Sequence, residues 1–183
     1  MNKIIGILGM QGAIAEHQEI LLQIPHTKTR IVKTAKDLDC IDGLILPGGE
    51  STAIGKLLDY FSLKEILRQK IISGLPVFGT CAGLILLAKN IENQTNTHLA
   101  TMDITVKRNG YGSQLDSFST NLLIPTIDKN MPIPLVFIRA PYITKTDKDV
   151  QILATLDNKI IAARQKNMLV SSFHPELTCD LRF

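Results

Sequence analysis

Leu75-Pro76-Val77-Phe78-Gly79-Thr80-Cys81-Ala82-Gly83-Leu84-Ile85-Leu86-Leu87-Ala88 is the stretch that decides how this chain is read. An apolar, β-favouring run leads into Gly79-x-Cys81-x-Gly83, and an apolar, helix-favouring run follows at once. A strand that ends here, turns sharply and restarts as a helix leaves its central side chain at the tip. This is the nucleophile-elbow pattern with Cys in place of Ser. The glycines have a steric reason, because a Cβ on either side would collide with the neighbouring strand or helix. The helix beginning at Ala82 turns its N-terminal amides and positive dipole end toward Cys81, where they supply donors for an oxyanion. With three Cys and twelve Gly, chance gives this pattern only roughly 0.01 times in such a chain. The structural alternative is a buried Cys in a tight turn, since unpaired Cys is among the most buried residue types.

Before this turn the chain alternates β and α. Residues 3–10 are apolar at both parities, as in a parallel strand covered on both faces. Gln11-Gly12 is a turn, and residues 13–24 read as a helix with Ile14, Leu21 and Ile24 on one stripe. Residues 29–33 form a second strand, 37–41 one helical turn, and 43–47 a third buried strand. In the loop Gly48-Gly49-Glu50-Ser51-Thr52, Ser51 or Thr52 is placed to cap a helix starting near Ala53. Ser62-Leu63-Lys64-Glu65 reads as a capping box for a helix ending near Gly74. After the turn the pattern changes. Residues 101–107 alternate apolar and polar, and 117–124 and 133–138 read as strands. Residues 150–156, 159–164 and 168–173 read as a meander, with turns at Asp157-Asn158 and Gln165-Lys166-Asn167. The expectation is a three-layer α/β/α fold, its mixed sheet mostly parallel in the first half and antiparallel in the second. Ligands of such sheets sit at the carboxyl ends of the strands, where Gln11-Gly12, Gly48 to Thr52 and Cys81 all fall.

The 183 residues fit one domain, 1–183, with 45% hydrophobic and 20% charged residues. A net charge of +3 is too small and dispersed to argue for nucleic acid or an acidic membrane. Trp is absent, so there is no stacking platform for single-stranded nucleic acid. Cys40, Cys81 and Cys179 are odd in number and widely spaced, which argues against a disulfide framework and a thiolate metal site. The opening apolar run is short, lacks a cleavage site and enters a turn, and no apolar stretch approaches a membrane span. A cytoplasmic protein without metal or cofactor is the expectation.

A nucleophilic Cys needs a base, and the base an orienting acceptor. His17 sits in the first amphipathic helix, His26 follows Pro25, and His98 lies in a polar stretch; each reads as a solvated surface residue. His174 follows the last strand in Phe173-His174-Pro175-Glu176. Pro175 disfavours the α region at His174, which predicts an extended segment. There His174 and Glu176 project to one side, so that Glu176 accepts from one ring nitrogen while the other faces Cys81. The bland alternative is a polar turn.

Taken together, Pro47-Gly48-Gly49-Glu50-Ser51-Thr52, the elbow and Phe173-His174-Pro175-Glu176 resemble the class I (triad) glutamine amidotransferases, which have a flavodoxin-like fold. Further segments narrow the resemblance to the glutaminase subunit of pyridoxal 5′-phosphate synthase. These are Gly9-Met10-Gln11-Gly12-Ala13 with Glu16-His17, Arg108-Asn109-Gly110-Tyr111-Gly112 with Gln114-Leu115-Asp116-Ser117-Phe118, Phe137-Ile138-Arg139-Ala140-Pro141, and His174-Pro175-Glu176-Leu177-Thr178 with Asp180 and Arg182.

The resemblance implies hydrolysis of L-glutamine to glutamate and ammonia through a glutamyl thioester on Cys81, with His174 as base and Glu176 as its orienter. It implies oxyanion donors at the N–H groups of Gly49 and Ala82, and substrate contacts from Gly49, Glu50, Ser51, Arg108, Ile138 and Arg139. Gln11 would lie on the side facing a partner. That partner is a (β/α)8-barrel synthase in a large hetero-oligomer, which uses the ammonia to make pyridoxal 5′-phosphate and raises a weak glutaminase. An Arg suits the carboxylate of a free amino acid, and Glu50 its ammonium group. The chain departs from the family at Ser113, where a further Arg is usual, and at Gly110-Tyr111, where Ala-Phe is commoner. Family members usually continue past the position of Phe183 with a His and an aromatic. Alternatives are a triad glutaminase of purine or histidine biosynthesis, or a non-catalytic binding module, which would be marked by loss of the nucleophile. A P-loop is disfavoured, because its Lys is missing from the Gly48–Thr52 loop.

Overall fold

The computed structural model describes residues 2–110 and 117–183. The first half runs β1 (Lys3–Leu8), α1 (Ile14–Leu21), β2 (Thr27–Val32), β3 (Gly43–Leu46), α2 (Ser51–Tyr60), α3 (Lys64–Ile72), β4 (Val77–Thr80) and α4 (Ala82–Leu87), with a 3-10 turn at Ala35–Cys40. The second half runs β5 (Ala88–Ile91), β6 (Met102–Lys107), β7 (Ser117–Leu122), β8 (Ile133–Ile138), β9 (Tyr142–Thr146), β10 (Gln151–Leu156), β11 (Lys159–Gln165) and β12 (Met168–Ser171), then a 3-10 turn at Pro175–Leu177.

The main sheet has the order β2-β1-β3-β4-β12-β11-β9-β6-β5, with β10 also paired to β11. Pairing is parallel from β2 through β12 and antiparallel around β11 and β9, apart from the parallel pair β5–β6. This is the expected mixed α/β sheet. The expected meander is β10-β11-β12, but β12 then joins β4 in parallel, from Met168↔Val77 to Ser171↔Thr80. The last strand therefore ends beside the elbow strand at the centre of the sheet.

Burial explains the layers. All four residues of β3, Gly-Leu-Ile-Leu, are buried, as in a strand covered on both faces. Leu44, Leu46 and Val77 pack with Ile54 and Leu58 of α2, Leu67 and Ile71 of α3 and the whole apolar run of α4. Alternation sends Ile45 and Phe78 the other way, where they border a small cavity with Ile20, Leu21 and Ile24. A second core lies under the β7–β8 hairpin. Phe137 stacks on Phe118 at 4.6 Å and meets Phe173 edge-on at 5.9 Å. The backbone N–H of His174 donates to Val136 O at 2.8 Å. Hairpin and post-β12 segment are thus locked together just where the chain leaves the sheet. No helix among the described residues is long and apolar enough to cross a membrane.

Three local expectations give way. α2 starts at Ser51 and its N-cap is Glu50, whose carboxylate accepts from Thr52 and Ala53 N–H, so neither Ser51 nor Thr52 is the cap. Ser62 has φ 53° and α3 begins after Leu63 with no side-chain cap bond; the capping box does not form. Strands β5 and β9 were not anticipated; β5 follows α4 directly, and its exposed Lys89 and Asn90 leave Ala88–Ile91 without an apolar strand pattern.

The elbow glycines behave as the steric reading requires. A Cβ on Gly83 would lie 2.1 Å from Leu46 O, and one on Gly79 would lie 2.6 Å from the Gly83 carbonyl carbon. Both obstacles are backbone and cannot swing aside. Gly83→Ala is expected to destabilise the fold by about 2–3 kcal/mol, as overpacking does, lowering the urea midpoint with an unchanged m-value. A midpoint equal to the wild type would show that the packing is looser than described.

Candidate active site

Four strand ends build one rim. The segment after β1 brings Gln11, the one after β3 brings Gly48 to Glu50, β4 ends at Cys81 and β12 leads to His174. They surround a cleft of about 520 Å³ that also takes in Ser51, Ala82, Arg108, Ile138 and Arg139. Size alone would not select it. A cavity of about 1010 Å³ opens at the opposite ends of β3, β4 and β12, beside Gly43, Pro76 and Phe183, and carries none of the candidate residues.

Cys81 has φ 49° and ψ −98°, a conformation that non-glycine residues rarely adopt. Its N–H donates to Ser171 O at 2.8 Å, which ties the strained residue to β12. The Sγ lies 4.0 Å from Ile138 O. Gly48 separates thiol and imidazole from the loop above them. A Cβ there would sit 2.4 Å from His174 Cε1 and 3.5 Å from Cys81 Cβ.

His174 and Glu176 are both 7% exposed, and His174 Nδ1 lies 2.7 Å from Glu176 Oε1. Burial acts most strongly on His174 and disfavours its charge. Hydrogen bonds with Cys81 and with Glu176, and the charges on both, outweigh it and leave its pKa pushed up to about 10. The three groups thus form one chain, sulfur–imidazole–carboxylate. His174 stays out of the α region as expected, with φ −108° and ψ 89°, but the extended segment ends there, because Pro175 to Leu177 make a 3-10 turn. The proline at its start suits that turn, because its fixed φ is helical and its missing N–H needs no partner there.

A second correction concerns His17, expected at the surface. It is 2% exposed, with Nε2 3.1 Å from Thr80 Oγ1 and 3.5 Å from Glu176 Oε2. The signal was present in the sequence: position 17 falls on the same stripe as Ile14, Leu21 and Ile24. Thr80, which also escaped notice, is 0% exposed. Of the other histidines, His26 is exposed as expected. His98 is half-buried against α2, where a Cβ on Gly55 would meet its ring. Burial first, then Lys64 and Arg108, keep His98 below its ordinary pKa.

At the cleft mouth, Arg108 Nη2 donates to Glu50 Oε1 at 2.9 Å and Nη1 to Thr52 Oγ1 at 3.1 Å. Burial opposes the charge on Glu50. The N–H groups of Thr52 and Ala53, with Arg108, overcome this and hold its carboxyl below the usual range. Gln11 Oε1 accepts from Glu50 N–H at 2.8 Å, laying the Gln11 carboxamide against Gly49. Ser51 Oγ is buried without a hydrogen-bond partner among the described residues. Arg139 has φ 45°, and Gly110 N–H donates to Ala140 O, which draws the Arg108 and Arg139 loops together. Gly110 itself is explained by Tyr142, whose ring would lie 2.1 Å from a Cβ there. Tyr111 and Ser113 lie outside the described residues.

Residues 7–183 match the SNO glutamine amidotransferase family. Proteins named "Pyridoxal 5'-phosphate synthase subunit PdxT" are similar along nearly the whole chain. That of Ruminiclostridium cellulolyticum is 53% identical, covering 99% of this chain and 95% of its own length. That of Carboxydothermus hydrogenoformans is 56% identical, covering 97% and 92%. A solved structure described as a glutamine amidotransferase aligns with a TM-score of 0.89 at 38% identity, over 97% of this chain and 93% of its own. PurLQS from Thermotoga maritima aligns at 0.74 with 15% identity, over 99% and 91%, a likeness of fold alone. By sequence and fold together, the chain belongs to the SNO glutamine amidotransferase family.

Proposed function

We propose that this chain is the glutaminase subunit of a pyridoxal 5′-phosphate synthase, a single domain that releases ammonia from L-glutamine. The observation that carries the reading is a buried His174 imidazole that sits beside Cys81 next to Gly48 and meets Glu176 at 2.7 Å. His174 takes the thiol proton and the sulfur of Cys81 adds to the side-chain carboxamide carbon. The resulting oxyanion is held by the N–H groups of Gly49 and Ala82, both on the cleft wall. Collapse breaks the C–N bond, and His174 returns the proton to the departing ammonia. Water, deprotonated by His174, then adds to the glutamyl thioester and frees glutamate and the Cys81 sulfur. Glu176 holds the imidazole in register throughout.

Arg108 and Arg139 supply the guanidinium groups for the substrate carboxylate, Glu50 the carboxylate for its ammonium, and Ser51 and Ile138 the wall. Glu50 and Arg108 pair with each other at 2.9 Å, so substrate entry exchanges part of that pair for its own charges. The names of the relatives, each that of a pyridoxal 5′-phosphate synthase subunit, support a synthase partner, and the ammonia passes to it. The partner is a (β/α)8 barrel in a large hetero-oligomer of the cytoplasm, docking on the Gln11 side of the cleft.

Cys81→Ala is expected to cut glutamine hydrolysis at least about a thousandfold, with the thermal midpoint held. Turnover equal to wild type would remove Cys81 from its role. Adding the synthase partner is expected to raise ammonia release severalfold, and the coupled assay that reads it would contradict docking if the rate stayed flat.

A histidine whose pKa is raised by folding stabilises the native state fully below its unfolded value near 6.5. That contribution fades as pH climbs toward about 10. Glu176→Gln removes one of the groups that raise it. The His174 ring signal, followed by NMR against pH, is expected to titrate well below about 10 in that variant. An unmoved titration would mean that Glu176 does not hold the imidazolium.

A further inference from the structure

The structure assigns to His17 a positioning role in this reaction: its Nε2–H, placed between Thr80 Oγ1 and Glu176 Oε2, fixes the Glu176 carboxylate so that its other oxygen stays on His174. The inference rests on the triad reading above and goes one residue deeper. Glu176 has a side chain with 0% exposure. Its Oε1 meets His174 at 2.7 Å, while Oε2 is buried with no hydrogen-bond partner among the described residues. A buried carboxylate oxygen left alone is costly. Among the described residues, His17 Nε2 faces it at 3.5 Å.

That distance is a charge–dipole contact rather than a full hydrogen bond, and it suits orientation more than neutralisation. A carboxylate accepts only, so the nitrogen facing it carries the proton. The groups that face His17 are Glu176 and His174 from the segment after β12, Thr80 from β4, and Glu16 from its own helix. Burial dominates them and keeps the ring below its ordinary pKa, which leaves a neutral imidazole with one N–H to share. Thr80 immediately precedes Cys81, so the same ring also ties α1 to the strand that carries the nucleophile. A merely space-filling histidine would need only Thr80.

Steady-state glutamine hydrolysis by the full chain with its synthase partner tests this in wild type, His17→Phe, His17→Gln, Glu176→Gln and the double variant His17→Phe/Glu176→Gln. Where turnover is too slow, the iodoacetamide alkylation rate of Cys81, read by site-resolved mass spectrometry, replaces it. His17→Phe fills the space without a donor and is expected to lower kcat about tenfold with KM within about twofold. His17→Gln, whose amide nitrogen reaches the same point, is expected to stay within about threefold of wild type. In the Glu176→Gln background His17→Phe is expected to change the rate less than about twofold, the non-additivity of residues acting as one unit. If His17→Phe does not fold, His17→Asn, polar but too short to reach Glu176, is read in its place. A wild-type kcat in His17→Phe, a His17→Gln as impaired as His17→Phe, or full additivity with Glu176→Gln would each overturn the assignment. A wild-type rate in Glu176→Gln alone would instead sink the triad reading, and this inference with it.

Discussion

The first turn of α4 approaches β3 and β4 so closely that only hydrogen fits on the α-carbons of residues 79 and 83. That contact forces the chain to reverse within a residue, and the reversal lands on Cys81 at φ 49°. A backbone conformation of this kind costs about 1–3 kcal/mol. The six residues of α4 are all buried, and its Leu84, Ile85, Leu86 and Leu87 each contribute about 1.5–3 kcal/mol by leaving water. Burial of the helix therefore outweighs the strain at its start. The strain also has a use, because it holds the sulfur out at the rim instead of in the core.

From that point the site is an exercise in burying charge. His174 and Glu176 are almost wholly removed from solvent, where a single charge would be costly but a bonded series is tolerated. Each member therefore depends on the next. Sulfur and carboxylate together offset the desolvation of the imidazole, and His17 faces the carboxylate oxygen that the imidazole leaves open. The hairpin core does the mechanical part. Phe137, Phe173 and Phe183 pack edge to face, and Val136 O holds the His174 backbone. The imidazole is thus seated by a small aromatic core that belongs to neither layer of helices.

That Cys81, His174 and Glu176 come together was legible in the sequence because each sits in a short, recognisable pattern. The βα alternation was legible for a different reason: buried parallel strands such as Gly43–Leu46 show no polar face. What escaped was whatever depends on neighbours far away in the chain. Nothing in residues 168–171 tells that β12 inserts beside β4, since a parallel partner ninety residues distant leaves no local mark. Glu50 rather than Ser51 caps α2 because Arg108 and the Thr52 and Ala53 amides converge on it, and Arg108 is remote. The turn at Pro175 replaced an extended segment, yet the two side chains met all the same. His17 was the avoidable miss, for its place on the α1 stripe already marked it as inward-facing.

The proposed function turns on a covalent glutamyl thioester at Cys81. Mass spectrometry of the protein with its synthase partner, acid-quenched during turnover of L-glutamine, tests it directly. A glutamyl adduct confined to the peptide bearing Cys81, and absent from those bearing Cys40 and Cys179, is the predicted result. Steady ammonia release with no adduct at Cys81, or with the adduct on another residue, would contradict it.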